Sequence, residues 1–384
     1  MTLNVLNAVD LPNALRPRIE AVIDEADDRG DLPQRLHLHL REAGAFRMFT
    51  PREFGGDELP LTTALDVLER FGRIDASVGL SVWNANFGFV AAMLSEAGAK
   101  RIWAQGTEPT LANSGSPGAA ERVAGGYILS GRWNIVTGIT FADWFIAISL
   151  ITEGGQPTGT AAGAPDVRLF AVHRDQLSIE QTWNVTGMRG SRSNDVVLKG
   201  AFVSSELVAA FLRASKNDRP LYRGFLPTLV SPGCTAVVLG VARSAIDGVT
   251  QLVVDRKTLT RNTVTQSRRA QYLIAKSAAS VAAARLLLFS AAESLQRSAE
   301  SNESVTIGQR ADLRAVMTHA AETSREAFVA MYELAGSRAL YRTNQIEHPF
   351  RDGMAALQHA NHSAVFLEAA GRVRLGMDPE LPLC

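Results

Sequence analysis

Only two cysteines occur in 384 residues, Cys234 and the final residue Cys384. Two thiols cannot staple a disulfide-built domain, and their scarcity fits a reducing compartment, so a cytoplasmic protein is expected. No sign of charge prevails either: 39 Lys and Arg side chains balance 39 Asp and Glu. Without a basic excess or a Lys/Arg block the chain has no electrostatic footprint for nucleic acid. Long hydrophobic runs are missing. A segment such as WFIAI (144–148) is far shorter than the roughly 20 residues a spanning helix needs, so no membrane association is expected. The first residues, MTLNVLNAVD, lack the basic and apolar regions of a signal peptide. No strand-linked G-x-G-x-x-G is present, so the dinucleotide-binding fingerprint is absent as well.

What remains is an ordinary globular mixture, 46% apolar and 20% charged, long enough for two or three compact units. Residues 1–110 read as a helical domain. LTTALDVLERFGRID places Ala64, Leu65, Val67, Leu68 and Phe71 near helical period, after a candidate N-cap at Thr62. Composition shifts near residue 111 to Gly, Ser and β-branched residues with closely spaced turns, and 111–212 reads as a small antiparallel β domain. From 213 to 384 long helical patterns return. The third of them puts Leu313, Met317, Ala320, Phe328, Met331 and Leu334 on one stripe and closes at Gly336, and a four-helix bundle is the natural assembly.

Five landmarks in this order carry a resemblance. They are LSGRWNIVTGITFADWF (129–145), GMRGSRSNDVVLKGAFV (187–203), Arg256 in VVDRK, AGSRALY (335–341) and FRD (350–352). Together they resemble the acyl-CoA dehydrogenase fold superfamily over nearly the whole chain. The resemblance implies an α+β fold with an N-terminal helical domain, a central antiparallel β domain and a C-terminal four-helix bundle. Dehydrogenases of the superfamily need a carboxylate to remove a proton beside a thioester. The position eight residues after Asp352 is Ala360, and the stretch PLYRGFLPTLVSPGCTAVVLGVARSAI, where other members place the base, contains no Asp or Glu. In HPFRDGMAALQHANH (348–362) a histidine, His359, follows the Arg351–Asp352 pair by seven residues, nearly two turns and roughly one face of a helix. That pattern is most similar to the two-component flavin-dependent monooxygenases: the oxygenase component of p-hydroxyphenylacetate hydroxylase, dibenzothiophene monooxygenase and the nitrososugar synthases.

This resemblance implies an oxygenase that takes reduced FMN or FAD by diffusion from a separate flavin reductase. With O2 it would hydroxylate a small aromatic or heteroatom-containing substrate through a C4a-hydroperoxyflavin, as a homotetramer. His359 is then the acid/base or hydrogen-bonding partner, suited by an ordinary pKa of about 6.5, and His362 lies three residues on. The turn WNIVTG implies flavin contacts from Trp133, Asn134, Val136 and Thr137. Relatives carry a hydroxyl at the Val136 position, so Thr137 or Ser114 is the expected replacement. Ser191 and Ser193 would close over the flavin side, Arg256 would pair with its phosphate, and Gly336 and Ser337 would reach the flavin of an adjacent subunit. Arg351 and Asp352 are expected to form a structural ion pair. His37 and His39, two apart on a helix, point away from each other and read as packed or solvated side chains, not as a metal site. Two alternatives stay open: an acyl-CoA dehydrogenase with an unrecognised base, and a non-catalytic binding protein of the same fold.

Overall fold

The computed structural model describes residues 7–104, 108–159, 165–211, 219–223, 229–254, 264–342 and 346–381. The chain divides into two compact units. The first comprises residues 1–60, 81–184 and 190–227, and the second 61–80, 185–189 and 228–384. The division cuts across a linear reading into three domains. Helix α4 (Leu61–Ile74) and the first half of α5 (Ala76–Ala85) belong with the C-terminal helices.

The first unit opens with α1 (Leu11–Glu20), α2 (Ile23–Arg29) and α3 (Gln34–Glu42), and α6 (Glu96–Ile102) precedes its sheet. The strands are β1 (Leu111–Val123), β2 (Gly126–Val136), β3 (Trp144–Glu153), β4 (Gln156–Pro157), β5 (Val167–His173), β6 (Ser178–Glu180), β7 (Asn194–Ser204) and β8 (Val208–Ala210). Their order is β6-β7-β2-β1-β3-β5-β8, with β4 on β3. The sheet is mixed, not purely antiparallel as the sequence suggests, because β1 and β3 run parallel. Two chain reversals, the β1–β2 hairpin and the 3-10 turn Ile139–Phe141, return β3 to the direction of β1 on its other side. Hydrophobic alternation reports which face is buried, not which strand is the neighbour. At the centre Trp133 is fully buried, and its indole N–H donates to the carbonyl of Ile148 at 2.9 Å.

The second unit packs α4 against α8 (Pro232–Val254), α9 (Arg268–Glu300) and α10 (Ile307–Ala335), followed by α11 (Glu347–Ala356) and α12 (Val365–Arg374); a short α7 (Pro220–Arg223) belongs to the first unit. By length and composition α8 and α9 would each suffice to cross a bilayer, although no shorter run suggests it; 56% of the apolar stretch of α8 is buried, as a core helix requires. Leu313, Met317, Ala320, Phe328 and Met331 of α10 are all fully buried, whereas Leu334 is only partly so. A Thr306–Gln309 capping box starts α10. The close approach of α4 and α8 needs glycine. A Cβ on Gly240 would stand 2.0 Å from the carbonyl oxygen of Glu69, and one on Gly72 would stand 2.4 Å from that of Val237. Glu69 itself is buried and paired with Arg243 at 2.8 Å and Arg285 at 2.5 Å.

Gly240→Ala should therefore push α4 and α8 apart and cost roughly 1–3 kcal/mol. Gly115→Ala, where a Cβ meets nothing within 4 Å, should stay within about 0.5 kcal/mol of the parent. Urea unfolding of the two variants checks the difference.

Candidate active-site residues

In the first unit the sequence WNIVTG forms a β-bulge. The β2–β7 register breaks between Trp133 and Val136, and Ile135 takes a left-handed φ of 54°. Side chains take up the backbone groups the ladder drops. Ser114 Oγ donates to the Asn134 carbonyl at 2.7 Å, and the Ile135 N–H donates to Asp195 Oδ1 at 3.1 Å. Asn84 Nδ2 donates to the Thr137 carbonyl at 2.7 Å. The result is a rigid turn with Asn134 and Ile135 exposed at its tip, while Val136 and Thr137 point inward. Trp133 is a core side chain whose one donor is already used, and the Ser114 hydroxyl holds the bulge.

Behind the turn three buried hydroxyls stand in a row. Thr137 Oγ1 is 2.9 Å from Ser193 Oγ, and Ser193 Oγ is 2.9 Å from Ser191 Oγ. Arg192, between the two serines, adopts φ 42°, which lets both hydroxyls face the same way. Of the candidate hydroxyls, Thr137, Ser191 and Ser193 are thus brought together. Asp31, His37 and Ser81 border the same region, and only His37 was singled out in the sequence, as a packed residue. Its ring lies 4.5 Å from Phe141 and 5.2 Å from Phe46, with Nε2 3.2 Å from Thr110 Oγ1. Burial, helped by Arg41, lowers its pKa to about 4, so the ring is neutral.

In the second unit α11 stops at Ala356, so His359 is not on the helix of Arg351 and Asp352. It instead caps the 3-10 turn Ala360–His362, and its Nδ1 accepts the Asn361 N–H at 3.2 Å. An accepting Nδ1 puts the proton of a neutral imidazole on Nε2. Burial, reinforced by the Arg314 cation, lowers the His359 pKa to about 4. The ring is therefore a fixed Nε2–H donor at neutral pH and does not exchange a proton near pH 6.5. Arg314 Nη1 donates to Asn361 Oδ1 at 3.0 Å and its guanidinium lies over Phe366 at 4.5 Å. His362 is buried beside it, with Nε2 3.1 Å from Thr235 Oγ1 and 3.8 Å from Cys234 Sγ. Burial and the neighbouring His359 take its pKa to about 3, against the pull of the Ala356 and Leu357 carbonyls. Cys234 is buried, and burial raises its thiol to about 11, so it is no nucleophile. Ala360, where the dehydrogenase base would stand, is an exposed residue of the turn.

Gly336 ends α10 with φ 60°, and Ser337 is exposed in the following 3-10 turn. Arg256 lies outside the described residues. The expected Arg351–Asp352 ion pair is present at 3.5 Å, within a larger network. Asp31, Ser81, Thr235 and Asn361 escaped sequence reasoning, since no period or spacing ties them to the motifs they join.

Residues 13–105 match the N-terminal domain model of acyl-CoA dehydrogenases and residues 233–364 the C-terminal one. The chain belongs to the acyl-CoA dehydrogenase family. Within it, the chain is 27% identical to indole-3-acetate monooxygenase of Pseudomonas putida over 94% of both chains. It is likewise 27% identical to the oxygenase component of an FADH(2)-dependent resorcinol hydroxylase from a Rhizobium species, covering 89% of this chain and 87% of that one. The fold matches XiaF from a Streptomyces species, solved with FADH2 and glycerol, with TM-score 0.90 at 24% identity over 98% of this chain and 97% of that one. The FMN-bound dibenzothiophene monooxygenase TdsC of Paenibacillus sp. A11-2 gives TM-score 0.78 at 20% identity, over 96% and 97%. These relatives make the chain an oxidoreductase of the flavin-dependent monooxygenase branch.

His359 and His362 fix a pH dependence, to which the depressed His37 adds in the same direction. Both are neutral when folded and have a pKa of about 6.5 when unfolded. Their contribution is complete above about pH 6.5 and is lost as pH falls toward 4. Denaturant midpoints should decline over that window, less steeply in His362→Gln. Nitrogen-15 NMR should find His359 as the Nε2–H tautomer from pH 6 to 8.

Proposed function

We propose that this chain is the oxygenase component of a two-component flavin-dependent monooxygenase. It takes reduced FMN or FAD from a separate reductase and uses O2 to hydroxylate a small aromatic or heteroatom-containing molecule. The observation that carries the reading is His359. Where a dehydrogenase of this family would set a carboxylate base, the chain has exposed Ala360 and, beside it, a neutral imidazole locked as a hydrogen-bond donor. A donor of fixed tautomer suits oxygen chemistry; it cannot abstract the α-proton of a thioester.

Bound reduced flavin supplies the two electrons that O2 activation needs. The chain supplies the rest. In the sheet unit, the bulge at Asn134–Ile135, held by Ser114, Asp195 and Asn84, offers a preorganised edge for a flat ring system, with the buried Thr137–Ser193 hydroxyl pair behind it. The buried hydroxyl of Ser81 in the same unit, without a partner among the described residues, fits a site that takes a polar ligand or water. In the helical unit His359 donates from Nε2, while Arg314 and Asn361 fix its orientation. Indole-3-acetate, resorcinol and dibenzothiophene, named in the relatives, are flat and aromatic. We infer the same class for this chain.

A homotetramer belongs to the reading. Only 22% of the apolar stretch of α9 is buried, and Tyr272, Leu286 and Leu287 are 64%, 67% and 47% exposed. Leu340 and Tyr341, beside Gly336 and Ser337, are 69% and 66% exposed. Covering these with further copies of the chain removes a large apolar surface from water.

Two experiments test the reading. Anaerobic protein with bound reduced FMN or FAD, mixed with O2 in a stopped flow, should pass through a transient species before oxidised flavin appears. His359→Ala should shorten that transient by roughly tenfold or more. Reoxidation at the rate of free flavin in the parent protein would end the proposal. Separately, Leu286→Glu with Leu287→Glu should convert the tetramer to smaller species in light scattering.

A further inference from the structure

The sheet unit holds a cavity behind the turn at Thr137. Asp31, His37, Ser81, Thr137 and Ser191 are among the residues that line it, and it has room for about one water molecule. Three features of its wall point to proton traffic. Among the described residues the buried Ser81 Oγ has no hydrogen-bond partner. Thr137 and Ser191 are the two ends of the buried hydroxyl row, joined through Ser193 at 2.9 Å on either side. Each hydroxyl in such a row both donates and accepts, so a proton can pass along it. Asp31 is the carboxyl group on the wall.

We infer that Asp31 is the proton-exchanging residue of this site: through a water in the cavity its carboxyl joins the Ser191–Ser193–Thr137 row and carries protons between solvent and the turn at Thr137. The inference rests on the reading that the turn ending in Thr137 borders the flavin. The reaction requires such a supply. Monoanionic reduced flavin, O2 and a substrate R–H yield oxidised flavin, R–OH and water only with the uptake of one proton. The flavin gives up two electrons and one proton; one oxygen atom enters R–H, and the other leaves as water, which needs the second proton.

The surroundings of Asp31 suit the task. Burial raises its pKa to about 6. Opposing it are the Arg192 charge, the Leu32 N–H, the Arg29 charge and the Thr140 hydroxyl. His37, the other titratable group on the wall, is neutral and its Nε2 is engaged with Thr110. A carboxyl group balanced this way holds a proton for part of the time near neutral pH and can regain it from solvent.

Carbon-13 NMR of the flavin-free protein should show Asp31 titrating between pH 5 and 7, and exchange of the Thr137 and Ser193 hydroxyl protons should slow severalfold in Asp31→Asn. With reduced flavin and substrate bound, single-turnover product formation should slow about tenfold in Asp31→Asn and lose its pH step near 6. Ser193→Ala should slow it equally while leaving Asp31 titrating as before, and Ser193→Thr should restore the rate. Should Asp31→Asn fail to fold, the Ser193 pair carries the same test. Titration of Asp31 near pH 4, or parental rates and hydroxyl exchange in both variants, overturns the inference. If reduced flavin does not bind at all, the monooxygenase reading fails, and the titration and exchange measurements still decide whether Asp31 feeds the hydroxyl row.

Discussion

The carboxylate of Asp352 is the fixed point of the helical unit around His359. It is completely buried, and a buried charge is tolerable only when its neighbours compensate it. The Met188 N–H donates to Oδ1 at 2.8 Å, Arg351 lies 3.5 Å away, and His348 Nε2 stands 3.3 Å from Oδ2. That same nitrogen reaches Asp75 Oδ2 at 3.1 Å, and Asp75 Oδ1 accepts from the Val78 N–H at 2.8 Å at the start of α5. Three stretches far apart in sequence thus converge on one acid. Gly187 makes the fit possible, since a Cβ there would meet the Arg351 carbonyl at 2.4 Å. With α11 pinned in this way, the chain leaves the helix at a defined point and sets His359 at the head of the next turn.

Two histidines eleven residues apart show how much the neighbours decide. Burial alone would depress both. At His348 the hydrogen bonds and charges of Asp352 and Asp75 outweigh burial and raise the pKa to about 11, even with Arg351 Nη2 3.3 Å from Nδ1. At His359 the nearest charge is the Arg314 cation, which adds to burial, and the pKa falls to about 4. One ring is a structural cation whose stabilising effect is complete below about pH 6.5 and fades only as pH climbs toward 11. The other is a neutral donor. An imidazole that titrated close to pH 7 would change charge with small shifts in conditions, and burial together with the Arg314 cation prevents that at His359.

Much of this was legible in the sequence, and the limits have physical causes. The order of helices, strands and long helices follows from period and turn residues, and the ordered landmarks led to the family. The parallel β1–β3 pair was not legible, because alternation has no memory of partner. Nor was the grouping of α4 with the C-terminal helices, which rests on Gly72 and Gly240 permitting backbone approach and on Glu69 accepting Arg243 and Arg285. His359 was found by its spacing from Asp352, but that spacing implied a continuous helix. The chain instead breaks after Ala356, and the break sets the tautomer through Asn361. Asp31 and Ser81 lie on a loop and a helix with no motif to mark them; only the folded cavity brings them beside Ser191.

The bulge at β2 decides which residues of the turn face inward. Strict alternation from inward-facing Trp133 would turn Ile135 in and Val136 out. The structure has Asn134 and Ile135 both exposed, so the alternation slips by one residue and Val136 becomes a core side chain. A hydroxyl at position 136 would here be buried against the sheet. Strand β2 ends at Val136, so Thr137 leaves the alternation and is itself buried, with Ser193 Oγ 2.9 Å from its hydroxyl. The stability of the slip comes from Asp195, which accepts the Ile135 N–H and pairs with Arg132 at 2.8 Å. Because Asp195 is the second residue of β7 and Ser193 immediately precedes that strand, the segment that fixes the bulge also carries the middle hydroxyl of the row. Bulge and relay are therefore one construction, and a change that relaxes the first displaces the second.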